Sequence, residues 1–265
     1  TMQQAHGHHV EFACIGGSSF ERTLRKKNLN FIDGFHFDRR LNPAYLLTDI
    51  RNLKSYIREN PTDIIHCHLP HDHWCCSLAL RGIGSGAGSN CPAIIRTCHR
   101  EGRMHRDPLH RWLYRRGCDR VITVSSSIHQ QLVDQMQIGS DRVTLVRGSV
   151  DPERFRPGLD PHHIRKLYDI PERAVVAGLV ARMQPHRGHH QFLDTIEAVS
   201  GKVADAVLFV AGRGEIKQEL LTRIRNHDLK KHLVRISYRK NDLPETYAGM
   251  NVAVILAPGS DGSCR

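Results

Sequence analysis

Along the whole chain, short β-branched runs alternate with amphipathic helical stretches. This alternation leaves few folds open, because strands separated by helices pair in parallel through crossover connections. A first series of strands is expected at 10–14, 63–67, 93–98, 120–124 and 143–146, and a second at 174–181, 206–211, 233–236 and 252–256. Between them, Asn42-Pro43 reads as a cap followed by proline at the first helical position. Leu46, Leu47, Ile50, Leu53 and Ile57 then keep helical spacing until Pro61. Residues 125–137 and 215–227 read the same way, the latter with Ile216, Leu220, Leu221 and Ile224 on one stripe. The two series part at 148–158, where Gly148, Pro152, Pro157 and Gly158 interrupt any regular element. This predicts two α/β domains, 1–150 and 151–265. The run 82–89, glycine and serine with few exceptions, reads as a surface loop.

Composition narrows the class. With 265 residues, 40% hydrophobic and 25% charged, the chain lies in the ordinary globular range. Its longest apolar stretches, 174–181 and 252–257, are far shorter than the roughly 20 residues that span a bilayer. The start has no basic region leading into an apolar core, so it does not read as a secretory signal. Eight cysteines, none in a Cys-x-x-Cys pair, argue against a redox dithiol or ribbon zinc site and point to a reducing, cytoplasmic compartment. A formal net charge of +11 favours an anionic partner, whether nucleotide, nucleic acid, acidic membrane surface or phosphorylated glycan.

The stretch Ala177-Gly178-Leu179-Val180-Ala181-Arg182-Met183-Gln184-Pro185-His186-Arg187-Gly188-His189-His190 is a hydrophobic strand that runs into a basic turn and then a helix. Ligands collect at the carboxyl ends of parallel strands, and a helix start there presents unpaired N–H groups and a positive dipole end. Arg182 and Arg187 are spaced to reach one diphosphate, whose oxygens suit the planar guanidinium fork. By position alone, two solvated surface charges read equally well.

This segment resembles the donor-phosphate signature of family-four retaining glycosyltransferases (glycosyl transferase group 1), with Arg187 where lysine is usual. Val207 to Glu215, including Gly212, is similar to the family's next strand and glycine turn. Leu243 to Val252 is similar to its segment of short helix and strand. Pro258 to Arg265 resembles the opening of its acidic signature, with Asp261 as the first acid and the second expected beyond Arg265. Asp63 to His68, Ile94 to Arg100 and Cys118 to Ser125 look like acceptor-domain strands, and 148–157 like the interdomain hinge. The family's first strand and glycine-rich turn are expected before Thr1, so the chain is expected to be a fragment, both of its domains incomplete.

The resemblance implies two Rossmann-like domains facing across a cleft, the GT-B fold, with the acceptor on the first and a nucleoside diphosphate sugar on the second. It implies catalytic roles for Arg182, Arg187, Asp261 and His99. Donor contacts are implied at Gly188, Gly212, Tyr238, Arg239, Gly262 and Ser263, with acceptor-side roles at His66, His68 and His71. No cofactor or metal is implied, because the arginines supply the countercharge that magnesium supplies elsewhere. A neutral His99 imidazole would accept a hydrogen bond from a sugar hydroxyl.

Two further features invite other readings. His66, His68, His71 and His73 are dense enough to suggest zinc, but His71 and His73 follow Pro70 and are expected to open a helix, so four convergent nitrogens are not implied. From Arg103 to Arg116, five arginines interleave with Trp112 and Tyr114. That pattern fits a solvated helix face, a nucleic-acid surface, or a surface that sits on anionic lipid. A nucleotide-sugar epimerase of the same fold and a basic non-catalytic nucleic-acid- or zinc-binding module are the rival functions.

Overall fold

The computed structural model describes residues 2–38, 42–81, 91–99, 102–200, 202–203, 205–226, 233–236 and 242–256, without the side chains of 196, 197, 200 and 233–236. The chain divides into two compact units, one up to Gly148 and one from Ser149.

The first unit runs α1 (Met2–Ala5), β1 (Phe12–Ile15), α2 (Ser19–Lys26), β2 (Phe31–Phe35), α3 (Pro43–Glu59), β3 (Ile64–Cys67), α4 (Pro70–Arg81), β4 (Ala93–Cys98), α5 (Pro108–Arg115), β5 (Arg120–Thr123), α6 (Ser126–Gln130) and β6 (Val143–Leu145). Strands β1 and β2 pair in parallel, and β3-β4-β5-β6 form a parallel sheet in chain order. Helix α3 starts as its sequence dictates, with the Asn42 side chain accepting the Ala44 N–H at 3.0 Å ahead of Pro43. Leu46, Ile50, Leu53 and Ile57 face the core shared with Cys67, Ile94 and Val121, whereas Leu47 turns to solvent. Strand β2 escapes the sequence reading because Asp33-Gly34 in its middle imitates a turn.

The second unit runs α7 (His162–Leu167), β7 (Val175–Val180), α8 (His189–Ser200), β8 (Ala206–Ala211), α9 (Lys217–Asn226), β9 (Leu233–Ile236), α10 (Leu243–Ala248) and β10 (Val252–Ala253). Its sheet is wholly parallel, in the order β10-β7-β8-β9. Every residue of β8 is buried, as expected of a parallel strand covered on both faces. After β7 the chain builds outward on one side through β8 and β9, then returns to place β10 on the other. Strand order therefore reverses at β7, and the carboxyl ends of β7 and β10 form a topological switch point. Strand β10 is shorter than the expected 252–256. One more ladder bond, Val254 N–H to Gly178 O at 2.8 Å, is made before Leu256 bends over the turn that follows β7. The buried Arg165 pins the entrance to β10, donating to the carbonyls of Gly249, Glu172 and Ala174 and to Asn251 Oδ1.

Candidate functional site

At the switch point of the second unit, the backbone is fixed first. Beyond the sheet, the Ala181 N–H bonds to Ala211 O at 3.0 Å and the Met183 N–H to Arg213 O at 2.8 Å, so the loops after β7 and β8 stay zipped together. Such close approach requires glycine: a Cβ on Gly212 would collide with the Ala181 carbonyl. Met183 is wholly buried and anchors the loop, while Arg182 beside it is exposed. A single 3₁₀ turn, Pro185–Arg187, then delivers the chain to Gly188. Gly188 is left-handed, with φ of 78°, and Leu256 lies where its Cβ would stand.

Arg187 is half-buried with its Nε enclosed and unbonded. Neither Arg182 nor Arg187 has an ion-pair partner among the described residues. Burial, and after it the neighbouring His190, push the pKa of His189 down, so the buried ring that opens α8 is neutral. Two guanidinium groups without an ion-pair partner among the described residues therefore lie on the loop leading into a helix whose dipole adds positive potential. Such an arrangement suits an anion.

At the carboxyl end of the first unit's sheet, imidazoles gather instead. His66 lies on β3, His68 just beyond it and His99 just beyond β4. Parallel pairing of Cys67 with Arg96 brings the two strand ends side by side. The His66 and His68 rings lie 4.2 Å apart, and His68 and His99 stack at 5.3 Å with Nδ1 and Nε2 3.0 Å apart. His66 Nε2 meets Thr97 Oγ1 at 2.7 Å. These rings keep solvent-facing edges, but crowding on their inner sides counts: burial first, then His68 and His99, push the pKa of His66 down to about 4. Burial, His99 and Arg96 lower that of His68. With both pKa values lowered, the His66 and His68 rings are uncharged near neutrality and able to donate and accept hydrogen bonds.

The other two histidines of the cluster go elsewhere. His71 is buried, its ring 6.2 Å from Phe37, beside a cavity lined also by Asp49 and Leu46. His73 is wholly enclosed against Tyr114, and burial with nearby Arg96 depresses its pKa to about 3. Among the described residues no group of three or more His, Cys, Asp or Glu side chains is arranged to hold a metal ion.

The structure thus places Arg182, Arg187, Gly188 and Gly212 around one turn, and His66, His68 and His99 in one row. Tyr238, Arg239, Asp261, Gly262 and Ser263 lie outside the described residues. Sequence reasoning missed Asp72 and Arg96. Asp72 lies in the first turn of α4, where its carboxylate accepts the N–H groups of His68 at 3.0 Å and Leu69 at 2.9 Å. Arg96, only 5% exposed, brings Nη1 within 3.8 Å of that carboxylate. The available signal was an arginine in the otherwise uncharged strand Ala93–Cys98.

A separate surface is built on α5. Leu113 and Tyr114 point inward, Leu109 is 67% exposed, and Trp112 stacks on Trp74 at 6.3 Å. His110 meets the edge of Trp74, and His105 stacks on His110. Among the described residues no helix is long and apolar enough to cross a membrane.

Two Rossmann-like α/β units, one with a basic turn at its switch point, define the class: a glycosyltransferase-type GT-B fold. The model of Glycosyltransferase Family 4 matches residues 2–154, and that of Glycosyl transferases group 1 matches residues 162–258; the chain belongs to this family. A curated relative, D-inositol 3-phosphate glycosyltransferase of Stackebrandtia nassauensis, is 39% identical over 67 residues, 25% of this chain and 15% of the relative. Among solved structures, a glycosyltransferase from Rickettsia africae matches with a TM-score of 0.73 at 19% identity, over 97% of this chain and 66% of that one. HepE of Anabaena, in complex with UDP and glucose, matches with a TM-score of 0.65 at 14% identity, over 95% of this chain and 67% of that one. The lipopolysaccharide outer core galactosyltransferase WaaB matches with a TM-score of 0.62 at 12% identity, over 95% of this chain and 74% of that one. The chain therefore spans about two thirds of the length of the Rickettsia protein, and identities this low show the fold alone.

Proposed function

We propose that this chain transfers a glycosyl group from a nucleoside diphosphate sugar to a glycan or lipid-linked acceptor, with retention at the anomeric carbon. The observation that carries the reading is the pair Arg182 and Arg187, uncompensated by any carboxylate among the described residues beside the first turn of α8. As the bond between the anomeric carbon and the phosphate oxygen breaks, negative charge grows on the leaving diphosphate. Preorganised guanidinium groups stabilise that charge more than they stabilise the intact donor. The acceptor oxygen bonds to the anomeric carbon on the face that the phosphate leaves, and its proton passes to the departing diphosphate. No divalent cation is needed for this charge balance.

Gly188 and Gly212 allow the backbone to approach the diphosphate. His99, joined to His68, accepts a hydroxyl of the donor sugar, and His66 and His68 line the acceptor side; His71, expected there too, is instead buried toward Phe37 and takes no part. Asp261, with Gly262 and Ser263, holds the sugar, and Tyr238 and Arg239 lie in the base-binding loop. These last roles rest on the family resemblance. Because the HepE structure holds UDP and glucose, uridine diphosphate is the first nucleotide to try. A cytoplasmic enzyme with α5 resting on an anionic membrane face fits the exposed Leu109 and the basic, tryptophan-bearing surface around it. Both tryptophans of the chain stack there, so a blue shift of intrinsic fluorescence on adding anionic but not zwitterionic vesicles reads that contact directly.

The donor assignment is tested by a thermal-shift panel of nucleoside diphosphates and their sugars against the parent chain, Arg182→Ala and Arg187→Ala. One nucleotide should raise the parent's Tm and neither variant's. Equal responses in all three proteins would remove the assignment. An epimerase would isomerise free donor without acceptor, and a nucleic-acid module would bind in a strongly salt-dependent way that ignores nucleotide sugars.

A further inference from the structure

We infer that Asp72 is a positioning residue for glycosyl transfer: anchored on buried Arg96, it fixes the backbone of His68, whose ring in turn orients His99. The inference rests on the role proposed above for His99. Asp72 follows Pro70, the first residue of α4, and its carboxylate reaches back to the two residues before the helix. Both oxygens accept the Leu69 N–H at 2.9 Å, and Oδ2 also accepts the His68 N–H at 3.0 Å. An ordinary helix cap would end there. Here the same carboxylate also faces Arg96, whose Nε and Nη1 are enclosed without a hydrogen bond.

A buried guanidinium holds its counterion firmly, because separating the two leaves a charge in a medium of low polarisability. Asp72 is therefore fixed from the sheet side by β4 and fixes the β3–α4 link in return. His68 sits on that link. Its ring lies between those of His66 and His99, and the contact of Nδ1 with His99 Nε2 must carry one proton. One nitrogen donates and the other accepts, so the pair holds complementary tautomers for as long as the backbone of His68 is held. Were the link to move, His99 would keep its place at the end of β4 but lose the His68 contact, and with it that contact's share in setting its orientation and its proton.

The test needs no sugar substrate. Long-range proton–nitrogen spectra of the imidazoles, assigned by difference from His68→Gln and His99→Gln, are recorded for the parent chain, Asp72→Ala and Asp72→Asn at neutral pH. Asn keeps the shape and one acceptor oxygen, which guards against a variant that does not fold; circular dichroism confirms the fold. In the parent, the two facing nitrogens should give one protonated and one bare signature, and both Asp72 variants should lose this distinction. Retention of the distinction in folded Asp72→Asn and Asp72→Ala would overturn the inference. So would loss of UDP binding in a folded Asp72→Asn chain, because the diphosphate turn belongs to the other unit and a positioning role leaves it untouched. Failure of the parent to bind UDP would strike the donor reading alone, and the imidazole comparison would stand.

Discussion

The turn after β7 and the strand ends of β3 and β4 occupy the same place in their own sheets, yet they solve opposite electrostatic problems. At the first, Arg182 and Arg187 are left without carboxylate partners among the described residues, and glycines bring the backbone close. At the second, the cation beneath the site, Arg96, faces Asp72, and the imidazoles of His66 and His68 are kept neutral by burial and by neighbouring histidines. Uncompensated charge is useful where charge develops during the reaction. A neutral row that offers hydrogen bonds suits hydroxyl groups, which would gain nothing from a fixed charge and would pay for its desolvation. The same kind of α/β frame thus carries a charged strand end in one unit and an uncharged one in the other.

The comparison breaks most visibly at Arg187. Arg187→Ala should lower kcat/KM for the donor, or affinity for its diphosphate, by about 10²–10³-fold. Turnover or calorimetry checks this; a loss below tenfold would mean that the turn carries no developing charge. Gly212→Ala tests the backbone beneath it: a methyl group driven toward the Ala181 carbonyl should cost about 3 kcal/mol in urea unfolding.

The neutral half is sharpened by pH. His73 has a folded pKa near 3, below the unfolded value of about 6.5. Between these values the unfolded chain binds the proton and the folded chain does not. Stability from this group is therefore complete above about pH 6.5 and falls as pH drops. From pH 7 to pH 5, His73 should account for about 2 kcal/mol of lost stability, and a folded His73→Leu chain should show a flatter profile in urea melts at the two pH values. The smallest effect concerns charge outside either region: Arg106→Gln, exposed just ahead of α5, should change UDP affinity by less than about twofold at moderate salt. A larger change would show that diffuse surface charge, rather than the turn, attracts the nucleotide.

Much of the frame was legible because strands are written in short-range chemistry. The run 206–211 is apolar throughout and is buried throughout. Asn42-Pro43 opens a helix as its capping chemistry requires, and the basic turn after Val180 stands out as charge at the end of an apolar run. The reading faltered where local signals conflict with long-range pairing. Asp33-Gly34 suggests a turn but sits in β2, because pairing with β1 outweighs local preference. Leu47 fits a helical stripe and faces water, since a helix packed on one side buries only a narrow arc. Four histidines within eight positions look equivalent in sequence, but strand, link and helix send His66 and His68 to the row, His71 toward Phe37 and His73 inward.

By itself, then, the sequence determined the alternation of strand and helix, the break near Gly148 and the basic turn of Arg182 and Arg187. Each of these depends on residues within a few positions of one another, where propensity and spacing act directly. Only the tertiary structure decided that strand order reverses at β7, that His68 meets His99, and that Arg96 answers Asp72. Those facts depend on which strands lie side by side and in what register, a choice made by burial summed over a whole sheet, and no stretch of local sequence carries it.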